Sequence, residues 1–255
     1  MSTGASENRR ARLVEYAPWI VRDYMMNQGP STAIVVMLIG VMTVGSALAL
    51  AGDRAQLGQV PELLANRMLQ ALMEPLVFLG SFFATNGIVA NDRKLAYYRF
   101  LFAKPVSPPL YYAITFVLYG IGLLVVSLAL SGLWALTVRP TFSIRLFLVI
   151  ALMYVAYGGI GFLLSAAWRF DWLSLVAVLF VATVGWRIWG DAEGIRHWLL
   201  YLLPPVHRDD ELYALVVNDA TRRIPWGSIA WLGGYGLACF FLGMLVVRKR
   251  PLGTS

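Results

Sequence analysis

LYYAITFVLYGIGLLVVSLALSGLWAL, residues 110–136, contains no Asp, Glu, Lys or Arg. A helix needs ~20 apolar residues to cross ~30 Å of hydrocarbon, and this run exceeds that length. Inside lipid the backbone has no water to bond, so such a run must be helical. The same reading extends outward along the chain. It places further spans at about 31–51, 70–90, 146–167, 172–190 and 226–247. Four of the six carry no charge at all; the exceptions are Glu74 in the second and Arg187 in the fifth. The expected fold class is all-α, a polytopic membrane protein with six transmembrane helices.

The bulk composition agrees. Of 255 residues, 59% are hydrophobic and 14% charged, whereas soluble domains are nearer a quarter charged. The single cysteine, Cys239, lies within the last run, which excludes an intrachain disulfide and reads as a small buried apolar residue. The polar start, Met1 to Asn8, is not followed by a signal-peptide pattern, so insertion is expected to use the first span. A net charge of +7 could suit nucleic acid, but its distribution speaks of membrane orientation instead. With both termini inside, residues 1–30, 91–109, 168–171 and 248–255 hold 12 Lys and Arg, against eight in 52–69, 137–145 and 191–225. The strongest clusters, Arg9, Arg10 and Arg12 and then Arg248, Lys249 and Arg250, flank the first and last spans. Both termini are therefore expected in the cytosol, with the protein multi-pass in the cytoplasmic (inner) membrane.

Three segments outside the spans carry information. Residues 1–30 form the cytosolic N-terminus. Within it Leu13, Val14, Ala17, Ile20, Val21 and Tyr24 share one helical face, and Arg12, Glu15, Arg22 and Asp23 another. Pro18 interrupts this pattern. An amphipathic interfacial helix in the headgroup plane is expected, which does not exclude docking on a cytosolic partner. The loop 91–109 opens with Asn91 as an N-cap and Asp92 in the first helical turn. Arg93 to Phe102 continue a short helix, which Pro105, Pro108 and Pro109 terminate. Its mixture of aromatic and basic residues suits a protein contact; a membrane-surface turn with snorkelling basic side chains is the alternative. The segment 191–225 is too long for a turn. Ile195, Trp198, Leu199 and Leu202 fall at helical spacing before Pro204 and Pro205, and Leu212 to Val217 form a second apolar patch. Two short helices dipping into the outer leaflet, or a surface loop, would account for it.

Several chemistries are missing. No G-x-x-x-x-G-K-[ST] motif occurs, so this chain has no Walker loop for ATP. The only histidines, His197 and His207, lie in 191–225, away from any span. That disfavours haem ligation and a Ser–His intramembrane protease. His207, Asp209 and Asp210 read as a solvated polar loop rather than as a metal site. No catalytic, cofactor-binding or metal residue is assigned to the chain. Glu74 and Arg187 sit at similar depth in the outer leaflet, where they pair, or each snorkels to the interface beside Trp186 and Trp189, or Glu74 serves a substrate or proton. Small residues at four-residue spacing mark close-packing faces: Gly45 and Ala49, Gly161 and Ser165, and Ala230, Gly234 and Ala238. Spacing alone leaves open whether they meet within one chain or between two.

Asn91-Asp-Arg-Lys-Leu-Ala-Tyr-Tyr-Arg-Phe-Leu-Phe-Ala-Lys-Pro-Val-Ser, followed by Tyr111 and Tyr112, resembles the coupling-helix signature of the membrane (permease) subunits of type-2 ATP-binding-cassette (ABC) exporters. The resemblance covers nearly the whole chain by layout and about 20 residues by motif. Ala96-Tyr97 replaces the glycine and small or polar residue of many members and points away from the drug-export branch. The resemblance implies a 31–255 transmembrane domain with a cytosolic coupling helix at 91–104 and an outer re-entrant segment at 191–225. It implies a second permease copy, as homodimer or heterodimer, and two ABC ATPase subunits that carry ATP and Mg. It assigns the ATPase contact to Asp92, Arg93, Leu95, Tyr98, Arg99, Leu101 and Phe102. Membrane lipid is the remaining expected partner, and nucleic acid is not one. Export of a hydrophobic, amphiphilic or lipid-linked substrate is the expected function. Polysaccharide or ion export, or a non-transporting anchor for a soluble ATPase or regulator, are the alternatives.

Orientation can be checked with single-cysteine variants on a Cys239→Ala background. Ser6→Cys and Thr254→Cys are expected to resist an impermeant maleimide added to intact cells while Ala192→Cys reacts; the opposite labelling pattern would invert the topology.

Overall fold

The computed structural model describes residues 77–81, 85, 88, 89, 92, 108–137, 144–167, 171–190, 194–209, 211, 212 and 224–249, with positions scattered between 18 and 45. Among the described residues there are helices and turns but no β-strand. The principal elements are α1 (Pro108–Thr137), α2 (Ile144–Met153), a π-helical turn (Tyr154–Gly158), α3 (Gly159–Ala167), α4 (Asp171–Trp189), α5 (Ile195–Leu200) and α6 (Trp226–Lys249). A 3₁₀ turn spans Val206–Arg208.

Among the described residues, three helices are long and apolar enough to cross a membrane: Pro108–Leu136, Arg145–Ala167 and Trp226–Lys249, of 29, 23 and 24 residues. They coincide with the third, fourth and sixth runs of the sequence. The fifth run corresponds to α4, whose apolar part, Ser174–Trp189, is shorter. The first two runs lie mostly outside the described residues. Of them, the described positions between 18 and 45 and residues 77–81 and 85 are helical. Of the N-terminal amphipathic segment, Pro18, Val21 and Arg22 are described, all helical and exposed.

The distribution of side chains is that of a protein embedded in a membrane. Val117, Ile121 and Val125 of α1, Phe180, Val184 and Ile188 of α4, and Phe241 and Leu245 of α6 are all exposed. Surfaces this apolar are not stable in water and mark a lipid or protein environment. The buried polar residues are instead Ser and Thr: Ser81, Thr85, Thr115, Ser127, Ser131, Ser165 and Ser228. Several return their hydroxyl to the carbonyl one turn earlier: Thr85 to Ser81 at 2.8 Å, Thr115 to Tyr111 at 3.0 Å and Ser131 to Ser127 at 2.8 Å. This satisfies the donor without water.

Packing centres on α6 against the π turn and α3. Ser228, Leu232, Gly236, Cys239, Gly243 and Val247 form its buried stripe. A Cβ on Gly159 would collide with the Gly236 carbonyl oxygen, and one on Gly236 would lie 2.6 Å from Ala156 Cα. The two backbones therefore touch through a glycine pair. Two turns further, a Cβ on Gly243 would lie 2.7 Å from Phe162 Cδ1. Around this line Phe116, Phe162 and Phe240 form an aromatic cluster, with centroids 4.6 Å apart for Phe116–Phe240 and 5.0 Å for Phe162–Phe240. Tyr112 extends it, 6.4 Å from Phe162.

The π turn interrupts the fourth span at its midpoint. A π turn admits one extra residue and shifts the helical face beyond it. Here Tyr154 leans onto α1, donating its hydroxyl to the Phe116 carbonyl at 2.6 Å, while its ring stacks 4.9 Å from that of Phe116. Gly120 makes the room, since a Cβ there would sit 2.6 Å from Tyr154 Cε1.

The small-residue faces read from the sequence divide. Gly161 and Ser165 do pack within the chain: a Cβ on Gly161 would lie 2.6 Å from Thr85 Oγ1, and Ser165 is fully buried. Ala230, Gly234 and Ala238 are exposed, as is Gly45, and nothing lies within 4 Å of a Cβ placed on Gly234 or Gly45. The close-packing face of α6 is the Gly236–Gly243 side, because there a glycine on the partner helix meets it.

This contrast is testable by thermal unfolding in detergent. Gly236→Ala is expected to cost about 1–3 kcal/mol through overpacking, whereas Gly234→Ala should be neutral or gain up to ~1 kcal/mol of helix propensity.

Candidate functional site

The loop singled out by sequence begins where the second span ends. Residues 77–81 and 85 are helical, and Ile88 and Val89 form a turn, with the Ile88 amide bonded to the Thr85 carbonyl at 3.4 Å. The Val89 amide has left the helical ladder and donates to Ser165 Oγ on α3 at 3.2 Å. Asp92 is helical again, as an N-terminal first-turn residue would be. Its carboxylate oxygen Oδ2 accepts the Tyr112 hydroxyl at 3.0 Å. Tyr112 is fully buried in the first turns of α1 and carries Tyr111 edge-on at 5.2 Å. The entry to the loop is thus held at two points on two different spans. A hydroxyl bond to an ionised acceptor contributes about 1.5–3 kcal/mol, enough to hold the connection against thermal motion.

Of the expected ATPase-contact residues, the structure describes Asp92. Arg93, Leu95, Tyr98, Arg99, Leu101 and Phe102 lie outside the described residues. Asp92 itself is half-buried and faces the chain's own α1. Of the expected charged pair, Arg187 is exposed in the last turn of α4, and Glu74 lies outside the described residues.

A second constellation gathers at the other end of the bundle, built by residues 194–212. Gly194, at φ 81°, turns the chain after α4, a conformation that favours glycine. α5 then folds back along the spans. A Cβ on Gly185 would lie 3.4 Å from Leu200 Cδ2 and 3.2 Å from Leu203 Cδ1. Trp186 Nε1 donates to the Pro204 carbonyl at 3.2 Å, and the Tyr235 hydroxyl to the Leu202 carbonyl at 2.8 Å. Tyr235 lies nine residues into α6, about 13 Å along its axis at 1.5 Å per residue. The segment therefore packs back against the adjoining turns of α4 and α6.

Its next residues reach three spans in turn. The His207 imidazole stacks on Trp186 of α4, centroids 3.8 Å apart. The Asp209 carboxylate accepts the Tyr157 hydroxyl from the π turn. The Glu211 carboxylate accepts the Ser228 hydroxyl from α6. His207 and Asp209 thus turn to separate protein partners, and among the described residues no group of three His, Cys, Asp or Glu is placed to hold a metal ion. The sequence reading missed Tyr157, Glu211 and Ser228. The available signal was the unbroken polar run His207-Arg208-Asp209-Asp210-Glu211 between the apolar stretches on either side of it.

Neither a family model, nor a curated protein, nor a solved structure matches this chain.

Burial lowers the basicity of His207 below its ordinary value of 6.5; the Arg208 guanidinium acts in the same direction and Glu211 opposes both. The docked segment then binds fewer protons than the free one. Docking is strongest above pH 6.5 and weakens as pH falls from there through the lowered value. With two histidines in the chain, isotope-labelled histidine gives two NMR titrations. The signal that vanishes in His207→Gln is expected to titrate below 6.5; a midpoint at or above that value would contradict the burial argument.

Proposed function

We propose that this chain is the permease subunit of an ABC exporter, moving a hydrophobic, amphiphilic or lipid-linked substrate out of the cytosol. The support is the resemblance of residues 91–107 to a coupling helix, together with the way the loop is rooted. The observation that carries the reading is the Tyr112–Asp92 hydrogen bond. A helix that only decorates the membrane surface has no need to be tied to a span. A helix that relays force must be tied to one, and here Asp92 connects it to α1 while Val89 connects its base to α3.

In this reading two spans precede α1, giving six, with the termini cytosolic in the inner membrane. Two permease copies and two separate ATPase subunits form the working unit, and ATP and Mg reside on the ATPases. Arg93, Leu95, Tyr98, Arg99, Leu101 and Phe102 face the ATPase, and Asp92 serves as the tether behind them. Closure of the ATPases on nucleotide displaces the loop helix. The tether passes that displacement to α1, and the aromatic cluster around Phe116 passes it to α3 and α6. A ligand-driven change of this kind needs contacts that differ between two states, and the nucleotide supplies the difference on the partner subunit.

The test is ATP hydrolysis by the complex reconstituted in nanodiscs with its ATPase, stimulated by native lipid extract. Arg99→Glu is expected to abolish both binding and stimulation. Tyr112→Phe is expected to retain ATPase binding but to lose stimulation several-fold, because contact survives while the tether is cut. Binding without any stimulation in the parent protein would favour the anchor reading, and failure to bind an ABC ATPase would end both.

A further inference from the structure

Residues 203–212 do more than connect two spans. The segment enters alongside α4, where Leu203 packs at Gly185 and the Pro204 carbonyl takes the Trp186 indole N–H. It leaves beside α6, where Glu211 takes the Ser228 hydroxyl. Between them Asp209 meets Tyr157, thirteen residues past the start of α2 and about 20 Å along that span at 1.5 Å per residue. The tyrosine hydroxyl points back toward the start of its helix, since helical side chains lean N-terminally. Pro204 and Pro205 are buried and Leu212 is fully so.

The three polar contacts have different partners but one owner. His207 holds α4, Asp209 holds the π turn and Glu211 holds α6, all within five residues. Those spans cannot draw apart at this end while the segment stays seated, so their separation is a single event rather than three.

We propose that residues 203–212 are a plug latched into this end of the bundle by the Tyr157–Asp209 and Ser228–Glu211 pairs, and that the fourth, fifth and sixth spans separate there only when the latch releases. The π turn sets the latch, because it aims Tyr154 at α1 and Tyr157 at the plug from within one turn. The latch is defined by the chain alone; its use as an outward gate rests on the transporter reading.

The experiment is peptide-resolved hydrogen–deuterium exchange on the full chain in nanodiscs, without ATPase or substrate, so its failure is separate from failure of the transporter reading. Tyr157→Phe and Asp209→Ala are each expected to speed exchange at 203–212 about tenfold or more. The double variant should be no faster than the faster single one. Exchange within twofold of the parent in Tyr157→Phe would overturn the latch, as would multiplicative effects in the double variant. Should Tyr157→Phe melt the whole bundle, Ser228→Ala tests the second pair by the same criterion.

Discussion

The contact on which the rest of this structure depends is the meeting of two glycines, Gly159 and Gly236, backbone against backbone. In lipid there is no hydrophobic force to press helices together, because the surrounding chains are as apolar as the side chains. Association then depends on how closely the helices approach and on the polar groups they pair. The glycine pair supplies the approach. It brings α6 near enough for Phe240 to join Phe116 and Phe162, and for Gly243 to receive the Phe162 ring. Once α3 and α6 are set, α1 follows through Tyr154 and Phe116. The cap segment follows through Tyr157, Ser228 and Tyr235.

The third, fourth and sixth runs were legible from charge alone. A run such as 110–136 cannot end until a group appears that lipid will not accept, so its boundaries agree with α1 to within a few residues. The fourth and sixth behave likewise, and the fifth begins at Asp171 and carries Arg187 in its last turn. Packing was less legible, for a physical reason. The spacing of Ala230, Gly234 and Ala238 is as favourable as that of Gly236 and Gly243, but a close approach needs a small residue on both helices. Sequence spacing records one helix at a time. The partner of Gly236 lies 77 positions away, past a π turn that no periodicity announces.

The two ends of the bundle are organised differently. At the loop end a main-chain amide and one carboxylate fasten the chain, through Ser165 and Tyr112, to helices that are otherwise apolar. Asp92 was read from its position as a first-turn residue, and the coupling-helix resemblance assigned it to a partner protein. It is indeed helical, but its carboxylate turns inward, a direction that helical periodicity over so short a segment could not choose. At the cap end the polar residues run consecutively along an irregular segment, and their contacts spread across three spans. Such a segment has no period from which a face could be assigned, which is why Glu211 and Ser228 did not stand out.

The π turn at Tyr154–Gly158 has a consequence for how the rest of its span faces. It holds one residue more than an α-helix would over the same length, and everything C-terminal to it is phased accordingly. Were these residues to wind as a plain α-helix at unchanged length, the following stretch would turn by about 100°. Gly159, Phe162 and Ser165 would then swing off the helices they meet, although no residue of that stretch had changed. The bulge is a phase marker: by absorbing one residue it sets which face the stretch beyond it presents.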